Sequence, residues 1–312
     1  MKIFHSSDDR SGPADPAAVA IGNFDGVHLG HQRILSFLAH QASEEGLVPL
    51  ILTFSPHPGK VTGSGKIQLL QTEKQKLEKM ERFGVEAVYI LAFDRNLARL
   101  SAEEFVRSIL IESLNSHVIV VGENFRFGHD RLGDTALLRR LARKYALNVF
   151  PVPSLIEEEE TVSSSFVRDL TRNGEVARAA RLLGEAYEIQ GRVIRGQTVG
   201  RGLGFPTANL ATRNEIVPNG VYVTTATVAG STHASVTNVG TQPTFNRNGI
   251  RIETHILDFT QDIYEADISI RFLKKIRDER RFGSPDELCE QISEDLLEAR
   301  HYFARHPVPP SP

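Results

Sequence analysis

From residue 16 onward, short apolar runs bounded by glycine or polar turns alternate with stretches whose apolar residues recur at helical spacing. Pro16 to Ile21, Leu47 to Phe54, Ala87 to Phe93, Val118 to Gly122 and Asn148 to Val152 read as strands. Between them, Gln32 to Ala42, Thr72 to Phe83 and Ser101 to Asn115 read as amphipathic helices, the last opening on a capping-box pattern, Ser101-Ala102-Glu103-Glu104. Alternation of this kind predicts a parallel sheet with helices on both faces, whose ligands bind at the carboxyl ends of the strands. Arg172 to Glu185 is helical and ends in Leu182-Leu183-Gly184, where the glycine suits a C-cap. The pattern then switches. Glu188 to Arg195, Gly220 to Val228, His233 to Val239, Ile252 to Asp258 and Ala266 to Phe272 are short β-rich runs separated by Gly, Asn and Pro, which predicts an antiparallel barrel. A terminal helix, Pro285 to Arg300, follows Ser284 and carries Leu288, Ile292, Leu296 and Leu297 on one face, and a proline-rich tail from His306 to Pro312 is expected to be disordered. The expectation is an α/β chain of two domains, residues 1–184 and 185–312.

Composition narrows the class. With 40% hydrophobic and 24% charged residues the chain is neither disordered nor a membrane protein, and no run approaches a membrane span. Met1-Lys2-Ile3-Phe4-His5 passes directly into the polar Ser6 to Arg10 without the apolar segment of a signal peptide, so a cytoplasmic location is expected. Cys289 is the only cysteine, which excludes an internal disulfide framework and a cysteine-rich zinc site. Up to Gly184 there are 22 basic against 23 acidic side chains, and 14 against 16 after it, so neither half has an electrostatic footprint for nucleic acid.

The candidate chemistry begins where the first strand ends. Ala20-Ile21 runs into Gly22-Asn23-Phe24-Asp25-Gly26-Val27-His28-Leu29-Gly30-His31-Gln32, a glycine turn before a helix. A helix start presents unpaired N–H groups and a positive dipole end to an anion, and glycines let a phosphate come close to the backbone. His28 and His31, one turn apart, can both donate to such phosphates; a surface turn, a metal-ligand pair or two satisfied histidines fit the same tetrad. His28, Pro56-His57-Pro58 and Asn124-Phe125 all fall just after strands and can converge on one crevice. Glu157 to Glu160 reads as a solvated acidic loop. Val162-Ser163-Ser164-Ser165-Phe166-Val167-Arg168 sets hydroxyls at a helix start and a guanidinium a turn further on, suited to phosphates or to a plain serine N-cap with a surface arginine. Gly63-Ser64-Gly65-Lys66 fails as a phosphate loop because Ile67 replaces the required hydroxyl, and Gly200-Arg201-Gly202-Leu203-Gly204 fails as a dinucleotide fingerprint because Phe205 takes the third glycine position. In the second half, Thr207 and Asn209 point their oxygens the same way along an extended segment, suited to Mg²⁺ and phosphate, or to a turn with an Asn cap. Alternation puts Glu253 and His255 on one face of a strand, where an exposed glutamate is the plainer reading of the spacing alone.

Longer stretches carry a resemblance. Gly22-x-Phe24-Asp25-Gly26-x-His28-x-Gly30-His31 resembles the flavin adenylyltransferase branch of the nucleotidyltransferase superfamily, and the serine run ending in Arg168 is similar to its second signature, with Ser165 where threonine is commoner. Gly200-Arg201-x-Leu203-Gly204-Phe205-Pro206-Thr207-Ala208-Asn209, Val217-Pro218-x-Gly220-Val221-Tyr222, Asn238-Val239-Gly240-x-x-Pro243-Thr244-Phe245, Glu253-x-His255 and Ile276-Arg277-x-Glu279-x-x-Phe282 resemble, in order, the riboflavin kinase domain. The chain thus resembles the bifunctional riboflavin kinase/FAD synthetase family of prokaryotic type, departing from its pattern at Gln242 and Asn124.

That resemblance implies a Rossmann-like nucleotidyltransferase domain followed by a kinase barrel. The barrel would phosphorylate riboflavin from Mg-ATP, with Thr207 and Asn209 binding Mg²⁺ and phosphates, Glu253 as general base, and Gly204, Arg277 and Phe282 in substrate binding. The first domain would transfer AMP to FMN, with His28, His31 and Arg168 stabilising phosphate charge and Gly22, Asn23, Phe24, Asp25, Gly30, Asn124 and Ser164 binding substrate. The partners implied are ATP, riboflavin and FMN, with no nucleic acid and no membrane, and oligomeric state is left open. A single-activity FMN adenylyltransferase with a flavin-sensing barrel, a cytidylyl- or pantetheine-type transferase, and an RNA-binding relative of tRNA synthetases are the alternatives.

Overall fold

The computed structural model describes residues 1–6, 15–63, 67–157, 159–196, 204–241 and 249–308. Residues 64–66 and 200–203 of the two rejected glycine stretches, Glu158, Gln242, Pro243-Thr244-Phe245 and the end of the tail lie outside them. The chain divides into two compact units, Met1–Gln68 with Glu73–Ser164, and Leu69–Thr72 with Ser165–Pro312.

In the first unit, β1 (Lys2–His5), β2 (Ala17–Ile21), β3 (Val48–Ser55), β4 (Ala87–Ala92), β5 (Ser116–Gly122) and β6 (Asn148–Val152) form a parallel sheet in the order β1-β4-β3-β2-β5-β6. Every residue of β2 is buried, and its alternating side chains feed two cores. Ala18 and Ala20 pack with Leu35 and Leu38 of α1 (Leu29–Glu45) and Met80 of α3 (Glu73–Glu81), while α2 is the short turn Pro58–Val61. Val19 and Ile21 pack on the other face with Phe105 of α4 (Ala102–Phe105) and Leu138 of α5 (Thr135–Lys144). Helices therefore cover both faces, as the apolar runs imply. The capping box at Ser101 is formed, with Glu104 N donating to Ser101 Oγ at 3.2 Å, but beyond Phe105 the helix widens into π-type turns over Val106–Ser113. From β2 the chain moves to β3 and β4 on one side and to β5 and β6 on the other, so the crevice at the strand order's reversal lies at the carboxyl end of β2. The acidic segment forms a small hairpin, β7 (Ile156–Glu157) with β8 (Glu160–Thr161).

In the second unit, β9 (Tyr187–Ile194), β10 (Ala208–Thr212), β11 (Gly220–Val228), β12 (Ser231–Thr241), β13 (Ile250–Ile256) and β14 (Asp267–Arg277) close an antiparallel barrel in the order β10-β13-β12-β11-β14-β9. It is followed by α8 (Pro285–Arg305), N-capped by Ser284. Two helices precede it, α6 (Ser164–Arg172) and α7 (Val176–Leu183), the latter ended by Gly184 in the left-handed conformation. Both belong to this compact unit rather than to the sheet, because α7 buries Val176, Ala179, Leu182 and Leu183 and packs on β14 and β9. Inside the barrel a chain of hydroxyls, Ser235 to Thr224 to Thr237 to Thr254, is linked at 2.8, 2.8 and 2.9 Å, with each member fully buried. Outside, Val221, Val223 and Val236 pack beneath α8 around Ala299. Among the described residues no helix is long and apolar enough to cross a membrane.

Candidate active sites

The first site is built on the turn from β2 to α1. Phe24 (φ 52°) and Val27 (φ 45°) sit in the left-handed region, an unfavourable setting for a β-branched residue, and both are held there by burial. His28 is the N-cap of α1 and nearly buried, and its Nδ1 accepts from His31 N at 3.4 Å. That contact commits Nδ1 as an acceptor and leaves Nε2 as the donor of the neutral ring. The His28 and His31 rings stack at 3.7 Å, and Phe24 meets His31 edge-on at 5.1 Å. A Cβ on Gly30 would lie 3.2 Å from the His28 ring, so the glycine is what lets the two histidines stack beside the helix start. Ser164 Oγ donates to the Asp25 carbonyl at 2.8 Å, and Asp25 itself is buried. The Asn23 Oδ1 is buried with no hydrogen-bond partner among the described residues.

Around this turn, the loops after β3 and β5 stand beside it because β3, β2 and β5 are neighbours in a parallel sheet. His57 caps α2 through Nδ1, accepting from Gly59 N at 3.0 Å, and Asn124 is exposed with its amide donating to Ser154 Oγ at 3.0 Å. Arg168 lies on α6 in the second compact unit, nearly buried, with Nη1 donating to Ser165 Oγ at 3.4 Å. Sequence reasoning passed over Lys76 of α3, whose Nζ donates to Thr53 Oγ1 at 3.1 Å beneath the turn. A hydroxyl at the end of the apolar run Leu50-Ile51-Leu52 was the available signal.

The second site is built along one row of paired positions on the barrel. Asn209 of β10 pairs with Glu253 of β13, Glu253 with Asn238 of β12, Asn238 with Val221 of β11, and Val221 with Arg277 of β14. Directly paired residues in an antiparallel sheet share a face, so this register collects side chains that lie far apart in sequence. Two cavities adjoin the row. One, of about 290 Å³ beneath α8, is lined by Glu253, His255, Arg277, Phe282, Ile292 and Asp295 among others. The other, of about 420 Å³ beside β10, is lined by Thr207, Asn209, Thr254, Phe259 and Tyr264 among others. Thr207 lines both. His255 Nδ1 donates to the Pro206 carbonyl at 2.8 Å and fixes the approach to Thr207. Arg251 donates to Glu253 Oε1, and Arg277 is bonded to Asp295 of α8 and lies 5.7 Å over the Phe282 ring. Arg251, Asp295 and the loop from Phe259 to Tyr264 were not anticipated; Asp295 is a buried carboxylate on an otherwise amphipathic helix, a pattern that periodicity hides. Gly204 has φ 88°, in the region that favours glycine, at the entry to this segment.

Residues 12–166 match the family model FAD synthetase, and residues 183–303 match the model riboflavin kinase. The chain is 36% identical over 307 residues to the bifunctional riboflavin kinase/FMN adenylyltransferase of Escherichia coli K12, covering 97% of this chain and 98% of that one. It is 38% identical to the protein of the same name from Bacillus subtilis 168, over 92% of this chain and 93% of that one. A crystal structure described as a macrolide-efflux protein from Streptococcus pneumoniae superposes with a TM-score of 0.87 at 29% identity, covering 96% of this chain and 99% of that one. The two matched models, in the order of the two sites, favour two catalytic modules over one module with a flavin-sensing barrel, and the chain belongs to the bifunctional riboflavin kinase/FMN adenylyltransferase family.

Proposed function

We propose that this chain makes FAD in two steps, riboflavin and ATP giving FMN and ADP on the barrel, then FMN and ATP giving FAD and pyrophosphate at the carboxyl edge of the sheet. The observation that carries the reading is the register of the barrel row. It puts Glu253 beside Asn209, with Thr207 on the wall of both cavities, so a hydroxyl acceptor in one cavity can face a phosphate donor in the other. Riboflavin fits the apolar cavity beneath α8, its ring against Phe282 and its ribityl hydroxyl toward Glu253, which takes the proton as the oxygen attacks the γ-phosphorus of ATP. Thr207 and Asn209 offer neutral oxygen donors on the second cavity, which suit Mg²⁺; they would hold it there, where it neutralises phosphate charge.

At the first site no side-chain nucleophile is needed, because a phosphate oxygen of FMN attacks the α-phosphorus of ATP and pyrophosphate leaves. His28, through Nε2, with His31 and Arg168 would stabilise the charge on the phosphates, aided by the start of α1. Gly22, Asn23, Phe24, Asp25, Gly30 and Ser164 would shape the turn that receives them. Asn124, tied to Ser154, and Gly204 and Arg277 in the barrel complete the proposed contacts. The functional division at 184/185 accords with the start of the riboflavin kinase match at residue 183. Balanced charge in both halves favours small-molecule partners in the cytoplasm over nucleic acid or a membrane surface. The test is to incubate the chain with riboflavin and Mg-ATP and resolve the flavins with time: FMN should appear first and FAD after it. Formation of neither overturns the reading, and FAD formed from added FMN alone reduces it to a single transferase.

A further inference from the structure

Lys76 has no part in the roles above, yet it is a cation set beneath the first site. Its Nζ donates to Thr53 Oγ1 at 3.1 Å, and Thr53, fully buried on β3, donates in turn to the Asn23 carbonyl at 3.3 Å. A threonine hydroxyl has one proton, so the bond from Lys76 is what leaves that proton aimed at Asn23. Asn23 opens the turn that leads to His28, and its own side-chain oxygen is buried and unpaired among the described residues. Asp25, two residues on and buried, draws on the same ammonium, as does Glu73 in the first turn of α3; burial outweighs both and holds Lys76 below the usual lysine range. A half-buried ammonium is a costly way to orient one hydroxyl, which a neutral donor would do as well. It becomes useful where a carboxylate has to be offset close to a bound polyanion.

We propose that Lys76 is a positioning residue for adenylyl transfer: through Thr53 it fixes the Asn23 peptide, and its charge offsets Asp25, so that the turn carrying Asn23 and His28 stays set for the phosphates of ATP. This rests on the reading that puts those phosphates at His28 and His31. The experiment measures FMN adenylylation by the full chain carrying K76M, T53V, both, or H28A, with riboflavin phosphorylation as an internal reference. K76M should lower kcat by about 10- to 100-fold with the KM for ATP within about threefold, the scale of a small misplacement at a reacting centre. T53V should lose part of this, and the double variant should be no slower than K76M, because both break one chain of contacts. Riboflavin phosphorylation should not change. An adenylylation rate for K76M within twofold of wild type, or losses that multiply in the double variant, overturns the proposal. If K76M does not fold, K76R and K76Q decide it: arginine should recover rate that glutamine does not, and equal rates overturn it. H28A separates the two readings, since full activity in H28A removes the phosphate placement itself, whereas loss in H28A with none in K76M removes Lys76 alone.

Discussion

Arg251 and Glu253, two residues apart on β13 and therefore on one face of it, are ion-paired on the wall of the cavity beneath α8, the arginine donating to Oε1. One carboxylate oxygen is thereby anchored, and in the proposed reaction the other accepts from the substrate hydroxyl. Glu253→Gln keeps the size and most of the hydrogen bonding but removes the proposed proton acceptor. Riboflavin phosphorylation should fall by about 10²–10⁴-fold, the usual worth of general-base assistance, with flavin affinity nearly unchanged and FMN adenylylation untouched. Single-turnover phosphorylation at saturating Mg-ATP, alongside a riboflavin fluorescence titration, checks it. A rate within a few-fold of wild type would make Glu253 an ordinary residue of the strand face.

Thr207 and Asn209 line the cavity beside β10, and Asn209 lies against Gly196 so closely that a Cβ there would come within 2.2 Å of its amide nitrogen. Thr207→Ala and Asn209→Ala should abolish phosphorylation while adenylylation of supplied FMN survives. Gly196→Ala should act as a milder form of Asn209→Ala, lowering the kinase rate by roughly tenfold through displacement of the side chain. Parallel assays of both reactions on each variant read the difference; wild-type phosphorylation in all three would leave the segment as a turn without a catalytic role.

His28→Ala removes the proposed phosphate donor and an N-cap together, whereas His31→Ala removes the stacked partner and leaves the cap. Each should cost FAD formation roughly 10²–10³-fold, as losing one preorganised donor does, and leave FMN formation in place. His28→Asn should hold α1 better than His28→Ala, since asparagine is a good N-cap, without regaining the rate. Equal loss of both reactions in a folded variant would argue against separate sites.

Much of the fold was legible because its signals are local. The strands β2 to β6 are apolar runs, and the capping box at Ser101 and the left-handed Gly184 act within a few residues. Among the strands of the sheet and the barrel, two are not legible in the chain, and the β7–β8 hairpin lies in a segment that reads as an acidic loop. β1 is a half-exposed edge strand with no buried position, and β10, Ala-Asn-Leu-Ala-Thr, has little β-branched character and takes its form from pairing with β9 and β13. The π-type turns after Phe105 interrupt a helical pattern that still looks regular. Motifs at single chain positions, the His28 turn and the Thr207-Ala208-Asn209 segment, could be found by eye. The row joining Asn209, Glu253, Asn238 and Arg277 could not, because strand register brings these residues together and no spacing along the chain encodes it. The buried hydroxyl chain through Thr224 is hidden for the same reason, polar residues being expected on the outside of a strand.

Asp295 accepts from Arg277 Nε at 2.9 Å and Nη2 at 2.7 Å and from Gln291 at 3.1 Å, and it is buried while the arginine is partly so. This pair ties α8 to the last strand of the barrel and, through the arginine, sets the Phe282 ring on the edge of the proposed flavin cavity. Asp295→Ala leaves a partly buried guanidinium without its carboxylate, a change that typically costs about 3–5 kcal/mol, so the barrel's unfolding transition should move to lower denaturant. Replacing both partners with apolar residues, Arg277→Met with Asp295→Leu, should recover much of that stability, because the desolvation of both charges disappears with them. Riboflavin affinity should stay weak in the single and the double variant alike, since Asp295→Ala takes away the carboxylate that holds Arg277 over Phe282 and the double variant removes the arginine itself. Urea unfolding followed by circular dichroism, read beside a riboflavin titration of each variant, separates the two effects. Restored flavin affinity in the stabilised double variant would mean that the pair serves stability alone and that Arg277 has no part in seating the flavin.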